Sequence, residues 1–425
     1  MVRGARPGLV ALVLGLIAAP GSGRAAPSPA SQPELAPPPV EDQGGRALAG
    51  FRARLEGLRR GTTQRVRITH FGDSHVTSDV PTGLLRELLQ REYGDGGPGF
   101  VLLGKPWPTY RHDQVKTGAD PGWVAERLWT HYGRGRFAPR DDRFGLAGIS
   151  VHAVAPTRTW LALRSPTSQL SSAELFFLRQ PEGGRLEVFV GDRRLRWFFL
   201  ASSESEAEEA RIPLPPGTRQ LELRASLGEV RLFGVDLAGR ARGVVYDALG
   251  LNGARAGTQL SWNEPLMTRQ LRRLAPDLVI IAYGSNEVDN ERLTRASFAV
   301  TFDEVLQRLR RMVPAASCLV LGPPDRGRFR RRRGWEIPES LSFIIEEQRR
   351  LAALRGCAFW DQREAMGGPG SIQSWLRLSP PLADRDRVHL TGAGYRRLAR
   401  ALHRALLPQS PAASSAPRRS TGFPR

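Results

Sequence analysis

The sequence predicts an α/β protein, a parallel sheet covered by helices and interrupted by an inserted all-β sandwich. Three observations carry this expectation. Strand-like and helix-like periodicities alternate over 65–93 and again from Val244 to Leu407, which is the pattern of parallel strands joined by crossover helices. Between 146 and 240, helical periodicity gives way to short runs rich in β-branched and aromatic residues. The residues with the most reactive chemistry fall at the ends of the expected parallel strands, where open α/β sheets bind ligands.

With 425 residues, the chain has ample length for more than one folded unit. Arg3 and Arg6 precede an apolar run from Leu9 to Ala19, followed by Pro20 and small residues to Ala25 and Ala26. A charged start, an apolar stretch and a small-residue cleavage point are the parts of a signal peptide, so residues 1–26 are read as one and the protein as periplasmic or secreted. The apolar run is too short to span a bilayer stably, and no cysteine lies near the cleavage point for a lipid anchor, so no stable membrane insertion is expected. Residues 27–45, rich in Pro, Ala and Ser, read as a disordered linker.

Lys and Arg together number 62 against 42 Asp and Glu, a formal charge of +20. Removing residues 1–26 takes away only Arg3, Arg6 and Arg24, which leaves the chain strongly basic. Such a surface suits an anionic envelope polymer or membrane face. Lys105 and Lys116 are the only lysines, and an arginine bias this complete is more a signature of base composition than of a binding device. Nucleic acid is not expected as a partner, because no basic run is interleaved with stacking aromatics and the compartment is wrong.

The first part of the α/β domain is expected over 46–145. Leu48, Phe51, Leu55 and Leu58 recur at helical spacing, and Val66 and Ile68 then alternate as in a strand that ends in Phe71-Gly72-Asp73-Ser74-His75. A helix follows near Pro81 with Leu84, Leu85, Leu88 and Leu89 on one face. This sets Ser74 on a tight turn at a strand's carboxyl end, a placement that exposes its hydroxyl. Trp107, Tyr110, His112 and Trp123 come next in a Gly-rich stretch; they are read as core aromatics, with sugar stacking as the other reading.

The inserted sandwich is expected over 146–240, where runs such as TWLALR, AELFFLR, RLEVFVG and EVRLFGVDL are separated by Gly, Pro and Ser turns. Its acidic segment ESEAEEA is read as a solvated loop. The second part of the α/β domain follows over 241–408, with strands DLVIIAY, SCLVLG and CAFWD between helices and a last helix capped by Thr391. Residues 409–425 read as a disordered polar tail. Cys318 and Cys357 both begin apolar strand-like runs, which leaves two readings, a disulfide in an oxidising compartment or a pair of buried thiols. The run Arg328, Arg330, Arg331, Arg332 and Arg333 lies at the same sheet end as Ser74 and is read as a solvated charge run rather than a binding set, with steering of an anionic substrate toward Ser74 as the other reading.

Four pieces then fall at strand ends or in the loops beyond them: Ser74; Gly253 in the turn LGLNGARAG; Asn286 in Gly284-Ser285-Asn286; and Asp386 with His389 just before the last helix. Acyl transfer needs a nucleophile, a base, a group that orients the base and donors for the oxyanion. Ser74 is the candidate nucleophile, His389 its base, and Asp386 the carboxylate that fixes the imidazole tautomer. The N–H groups of Ser74 and Gly253 and the Asn286 carboxamide are the candidate oxyanion donors. His70, Asp73 and His75 are separated by strand alternation and have no further clustered ligand, so no metal is expected.

This ordered set resembles the SGNH (GDSL-type) hydrolase family, with FGDSH as first block, the Gly253 turn as second, GSN as third and DRVH as last. More narrowly, GDSHVTSDVPTGLLRELLQREYGDGGPGF, LGLNGA and PDLVIIAYGSNEVDN resemble the exported peptidoglycan O-acetylesterase branch. The resemblance implies an SGNH-type three-layer α/β/α sheet and a jelly-roll-like sandwich, similar to a carbohydrate-binding module, inserted between the first two blocks. It further implies an acetyl-serine intermediate, no cofactor, and O-acetylated peptidoglycan or a related acetylated polysaccharide as partner, with the C6 acetyl of muramoyl residues as target. Glu287 departs from the Asp that commonly follows the third-block Asn. Three other readings stand beside it: a polysaccharide O-acetyltransferase using the same residues, a lipid or lysophospholipid esterase, and a non-catalytic glycan-binding protein.

Overall fold

The computed structural model describes residues 37–128, 141–332 and 334–407. The expected signal peptide and the polar tail lie outside them. Five strands form a parallel sheet in the spatial order Gly243–Gly250, Arg65–Gly72, Leu278–Ala282, Ser317–Gly322, Ala358–Asp361. Both faces of this sheet are buried, and most of the residues on each are apolar. Val66, Ile68 and Ile280 join one buried cluster with Leu85, Leu89 and Leu398 from helices, while Phe71, Val279 and Ile281 face another with Phe302, Leu306 and Ile344.

The strand that comes first in the chain sits inside the sheet, flanked by the second and third, so the strand order reverses on either side of it. That is a topological switch point, and the crevice beyond the carboxyl ends there is where such sheets hold ligands. Register aligns the three ends: Gly72 lies opposite Gly250 on one side and Ala282 on the other.

The chain between the first two parallel strands forms two antiparallel sheets. One is six-stranded and contains the long strand Glu229–Gly239, buried from Val230 onward; the other is five-stranded and ends at the edge strand Arg193–Phe199. Leu161, Leu186, Val188, Leu221 and Leu223 of the five-stranded sheet share a core with Leu175, Phe177, Val230 and Leu232 of the other. Antiparallel pairing starts upstream of the expected boundary at 146: Gly99–Val101 pairs with Glu229–Gly239, Val115–Ala119 with Thr157–Leu163, and Val124–Arg127 with Ile149–Val154. These early strands are short and partly glycine, so they lack the alternation that marks the later ones. Trp107, Tyr110 and Trp123 pack against the core, and His112 is buried.

Two segments differ from their expectation. Residues 41–45 are ordered rather than linker: Glu41 exchanges backbone hydrogen bonds of 2.8 and 2.9 Å with Phe359, and the Trp360 indole donates to Pro38 O at 3.0 Å. Ala358–Asp361 is the edge strand of the parallel sheet, and its outer amides take whichever backbone is near. Composition has no term for such a bond. The acidic segment is a strand, Glu206–Pro213, and not a loop. Glu208 pairs with Arg179, and Glu209 with Arg269.

The parallel sheet and the inserted strands are tied by one buried ion cluster. The Arg67 guanidinium donates to both oxygens of Asp247 at 2.8 and 3.0 Å and to both of Asp236 at 2.9 and 2.8 Å. Asp236 lies on the strand Glu229–Gly239 of the insert, and Asp247 on the neighbouring parallel strand. Thr69 Oγ1 and the Phe100 N–H also donate to Asp247, each at 2.9 Å. Burial works against the Arg67 charge, but the two carboxylates more than offset it and the guanidinium holds its proton more tightly than usual.

Cys318 and Cys357 form a disulfide. Leu319 and Ala358, one residue on, face each other in the parallel ladder, so pairing of the two strands brings the cysteines side by side. Among the described residues no helix is long and apolar enough to cross a membrane.

Candidate active site

Ser74 opens a single helical turn, Ser74–Thr77, at the end of the Arg65–Gly72 strand. Asp73 caps this turn by accepting the His75 N–H at 3.0 Å. The turn is tight because Gly72 has no side chain: a Cβ there would lie 2.4 Å from Val76 Cγ2 and 2.9 Å from Ala282 O. Ser74 is half-buried, its hydroxyl at the crevice and 2.9 Å from His389 Nε2.

His389 and Asp386 share the loop before the helix Gly392–Leu406, which Thr391 caps through the Gly394 N–H at 3.3 Å. Asp386 Oδ2 lies 2.6 Å from His389 Nδ1, while its Oδ1 accepts the N–H groups of Val388 and His389, each at 2.9 Å. Burial alone would raise the Asp386 carboxyl, but the His389 ring and these two amides hold it below the usual carboxylate range. Arg387 between them adopts a left-handed φ of 53°. Its carbonyl accepts from Gly327 N–H at 2.7 Å, and its N–H donates to Asp384 O at 3.0 Å, which fixes the turn that carries the imidazole.

Gly253 sits in the turn after the Gly243–Gly250 strand with φ of 75°, where a side chain is disfavoured. That turn is locked to the nucleophile's strand by Leu251 N–H donating to Gly72 O at 3.0 Å. Asn286 follows the Leu278–Ala282 strand. Its carboxamide donates to Ala254 O at 2.8 Å and lies 3.5 Å from Asp73 Oδ2. One of its two amide hydrogens therefore anchors it to the Gly253 turn and the other faces the Asp73–Ser74 turn. The structure thus brings Ser74, His389 and Asp386 into one hydrogen-bonded chain and sets Gly253 and Asn286 on the two adjoining loops.

Four neighbours had no role in the sequence reading. Asp73 is buried, and desolvation lifts its carboxyl to about 6. The His75 ring stands 5.4 Å from that of His389, with Nδ1 2.8 Å from the Tyr395 hydroxyl, and burial keeps it neutral by lowering it to about 3. The buried Arg326 guanidinium donates to Ser285 O and pairs with Asp289. Asp73 and His75 flank Ser74 in the sequence and were findable there; nothing in the sequence marks Tyr395 or Arg326.

Glu287 is a further neighbour, and it is buried. Its Oε1 accepts Ala256 N–H at 2.7 Å, its Oε2 is buried without a hydrogen-bond partner, and burial lifts the carboxyl to about 7 from an ordinary 4.5. Between those two values the folded chain holds this proton and the unfolded chain does not, so stability falls as pH rises through the window and stays lower above it. Glu287→Gln keeps the Oε1 acceptor and removes the charge. The variant is expected to match wild type at about pH 4 and to exceed it by about 2–3 kcal/mol at about pH 8, read by urea unfolding at both. An equal difference at both pH values would show that this carboxyl does not titrate across the window.

The profile of the GDSL-like Lipase/Acylhydrolase family matches residues 222–397, a span that includes Gly253, Asn286, Asp386 and His389 and begins after Ser74. Among solved structures the chain is similar to one titled "Peptidoglycan O-acetylesterase in action, 5 min", at 25% identity and a TM-score of 0.72, over 86% of this chain and 97% of that one. It is also similar, at 20% identity and a TM-score of 0.30, to an acetyl xylan esterase over 39% of this chain and 81% of that one. No curated protein matches it.

Proposed function

From the premise that the chain carries an SGNH/GDSL-like hydrolase domain with extra β-sheets and is a hydrolase, we propose that it is a serine esterase removing O-acetyl groups from cell-wall glycan. The finer assignment is the acetyl ester on muramoyl residues of peptidoglycan, outside the cytoplasm. The observation that carries the esterase reading is the chain Ser74 Oγ, His389 Nε2, His389 Nδ1, Asp386 at 2.9 and 2.6 Å, set at the switch point of the sheet. The substrate class is supported by the likeness to a peptidoglycan O-acetylesterase along nearly the whole of that protein.

In this reading Ser74 Oγ attacks the acetyl carbonyl as its proton passes to His389 Nε2. Asp386 holds the ring with Nδ1–H toward itself, so that Nε2 is the basic nitrogen, and stabilises the imidazolium that forms. Charge developing on the carbonyl oxygen is met by the N–H groups of Ser74 and Gly253 and by the Asn286 amide hydrogen that faces the Asp73–Ser74 turn. Each such donor contributes about 3–4 kcal/mol to the transition state in enzymes of this chemistry. The C–O bond to the sugar then breaks, and the sugar oxygen leaves with the proton from His389. Water attacks the acetyl-serine, again giving its proton to His389, and acetate departs as Ser74 is restored.

The test is product analysis with O-acetylated peptidoglycan. Free acetate is expected, and rapid acid quench followed by mass spectrometry is expected to find an acetyl group on the peptide that contains Ser74. Adding a chitooligosaccharide acceptor is expected to leave acetate as the main product. Acetylated acceptor in place of acetate would turn the reading to acetyl transfer, and a preference for long-chain over acetyl p-nitrophenyl esters would turn it to lipid.

A further inference from the structure

Arg328 and Arg330 of the basic run are not loosely solvated. They belong to a small hairpin, Arg328–Arg330 paired with Gly334–Glu336, that stands between the two loops carrying Asn286 and His389. On one side Arg326 donates to Ser285 O and Arg328 to Val288 O, the latter at 2.9 Å. On the other, the Gly327 N–H donates to Arg387 O and the Arg387 guanidinium lies 4.6 Å over the Trp335 ring. The approach is close: a Cβ on Gly327 would meet Trp335 Cε3 at 3.1 Å and Arg387 Cβ at 3.2 Å.

Phe329 and Trp335 face each other across the hairpin in edge contact, ring centroids 5.5 Å apart, and Phe329 is 60% exposed. Arg328 and Arg330 share Glu336, and Arg330 also pairs with Glu291. Arg331 and Arg332 at the tip are exposed and have no ion-pair partner among the described residues. An exposed ring beside unpaired guanidinium groups is a surface for a flat, partly apolar sugar face that also bears negative charge. A packing role alone would leave neither the Phe329 face nor the two cations turned to solvent beside a catalytic crevice.

We infer that this hairpin is a substrate-recognition surface for anionic glycan, with the Phe329–Trp335 edge taking a sugar ring and Arg331 and Arg332 taking carboxylates of the same polymer. The inference rests on the esterase reading above and names what that site selects. A neutral acetylated glycan would gain the ring contact only. A small ester would reach Ser74 without either contact.

The test compares wild type with Arg331→Glu/Arg332→Glu and with Phe329→Ala on O-acetylated peptidoglycan, on acetylated xylan as a neutral polymer, and on p-nitrophenyl acetate. The double variant is expected to lose about tenfold or more in kcat/KM on peptidoglycan, mainly through KM, at the low end of what a single-sign surface gives by concentrating a charged substrate. Its rate there is also expected to lose most of its sensitivity to salt, since screening acts on the charges that were removed. Losses on xylan and on p-nitrophenyl acetate are expected to be several-fold smaller. Equal losses on all three substrates would overturn the inference in favour of a brace for the Asp386–His389 loop, and unchanged peptidoglycan kinetics would overturn it in favour of a solvated charge run. Sedimentation of Ser74→Ala with sacculi, with and without the charge reversals, reads recognition apart from chemistry. Weaker sedimentation of the reversed form is expected whether or not the esterase reading holds, and equal sedimentation would sink the surface alone.

Discussion

Replacing Ser74 by Ala is expected to lower acetate release by about 10⁴- to 10⁶-fold while leaving the unfolding transition in place. The size follows from the loss of the only group in the hydrogen-bonded chain that forms a bond to the acetyl carbon in the proposed reaction. Without it, oxyanion donors and binding assist attack by water, which accounts for the residual rate. His389→Ala is expected to fall to a similar level and the double variant no further, because the two groups act in one proton transfer. Ser74 is half-buried, and its side chain contacts His389 rather than a core cluster, so truncation costs little stability. Steady-state release of acetate, with circular dichroism melts of each variant, checks both parts. A Ser74→Ala protein within tenfold of wild type would remove Ser74 from the role of nucleophile.

Arg67→Met is expected to destabilise the chain by about 3–5 kcal/mol, the cost of leaving buried charge without its partner. Asp247 is fully buried and Asp236 nearly so. Burial raises the Asp247 carboxyl even with Arg67 beside it, so that without the guanidinium two carboxylates would face each other across a dry interface. The loss falls where the inserted strands meet the parallel sheet, and the Phe100 N–H that depends on Asp247 falls there too. Adding Asp236→Asn and Asp247→Asn to the same protein is expected to recover much of the stability, since the charges rather than the volume cause the loss. Urea unfolding of the single and triple variants reads this. A single variant that costs less than about 1 kcal/mol would show that water reaches the cluster and screens it.

What was legible and what was not divides by the range of the physics involved. Ser74 was visible because a strand of alternating apolar residues ends in Gly-Asp-Ser and a helix begins soon after; all of that is local. Asp386 and His389 were visible together because an i, i+3 pair on one loop before a capped helix is also local, and the loop's own amides bind the carboxylate. Their approach to Ser74, which lies 315 residues away, followed from topology: parallel strands with crossover helices bring every such loop to one end of the sheet. The disulfide stood undecided because a one-residue shift in strand register would separate Cys318 from Cys357, and register is set by packing on both faces of the sheet.

The ion pairs of the arginine hairpin were not legible for a related reason. A run of like charges is solvated unless acids from elsewhere meet it, and Glu291 and Glu336 do so only once the chain has folded. The onset of antiparallel pairing at Gly99 and the docking of Glu41 on Phe359 rest on backbone hydrogen bonds to distant strands, to which side-chain identity contributes little.

By itself, then, the sequence determined the parallel α/β sheet, the presence of an all-β insertion and the turns and loops that carry Ser74, Gly253, Asn286, Asp386 and His389, because period, turn chemistry and capping are short-range properties. Only the tertiary structure decided where the inserted pairing begins, that Cys318 meets Cys357, that Arg67 clamps the insertion to the sheet, and that the basic run stands as a wall beside the crevice. Each of these needs partners brought together from far along the chain, and their meeting depends on register and burial, which no local pattern encodes.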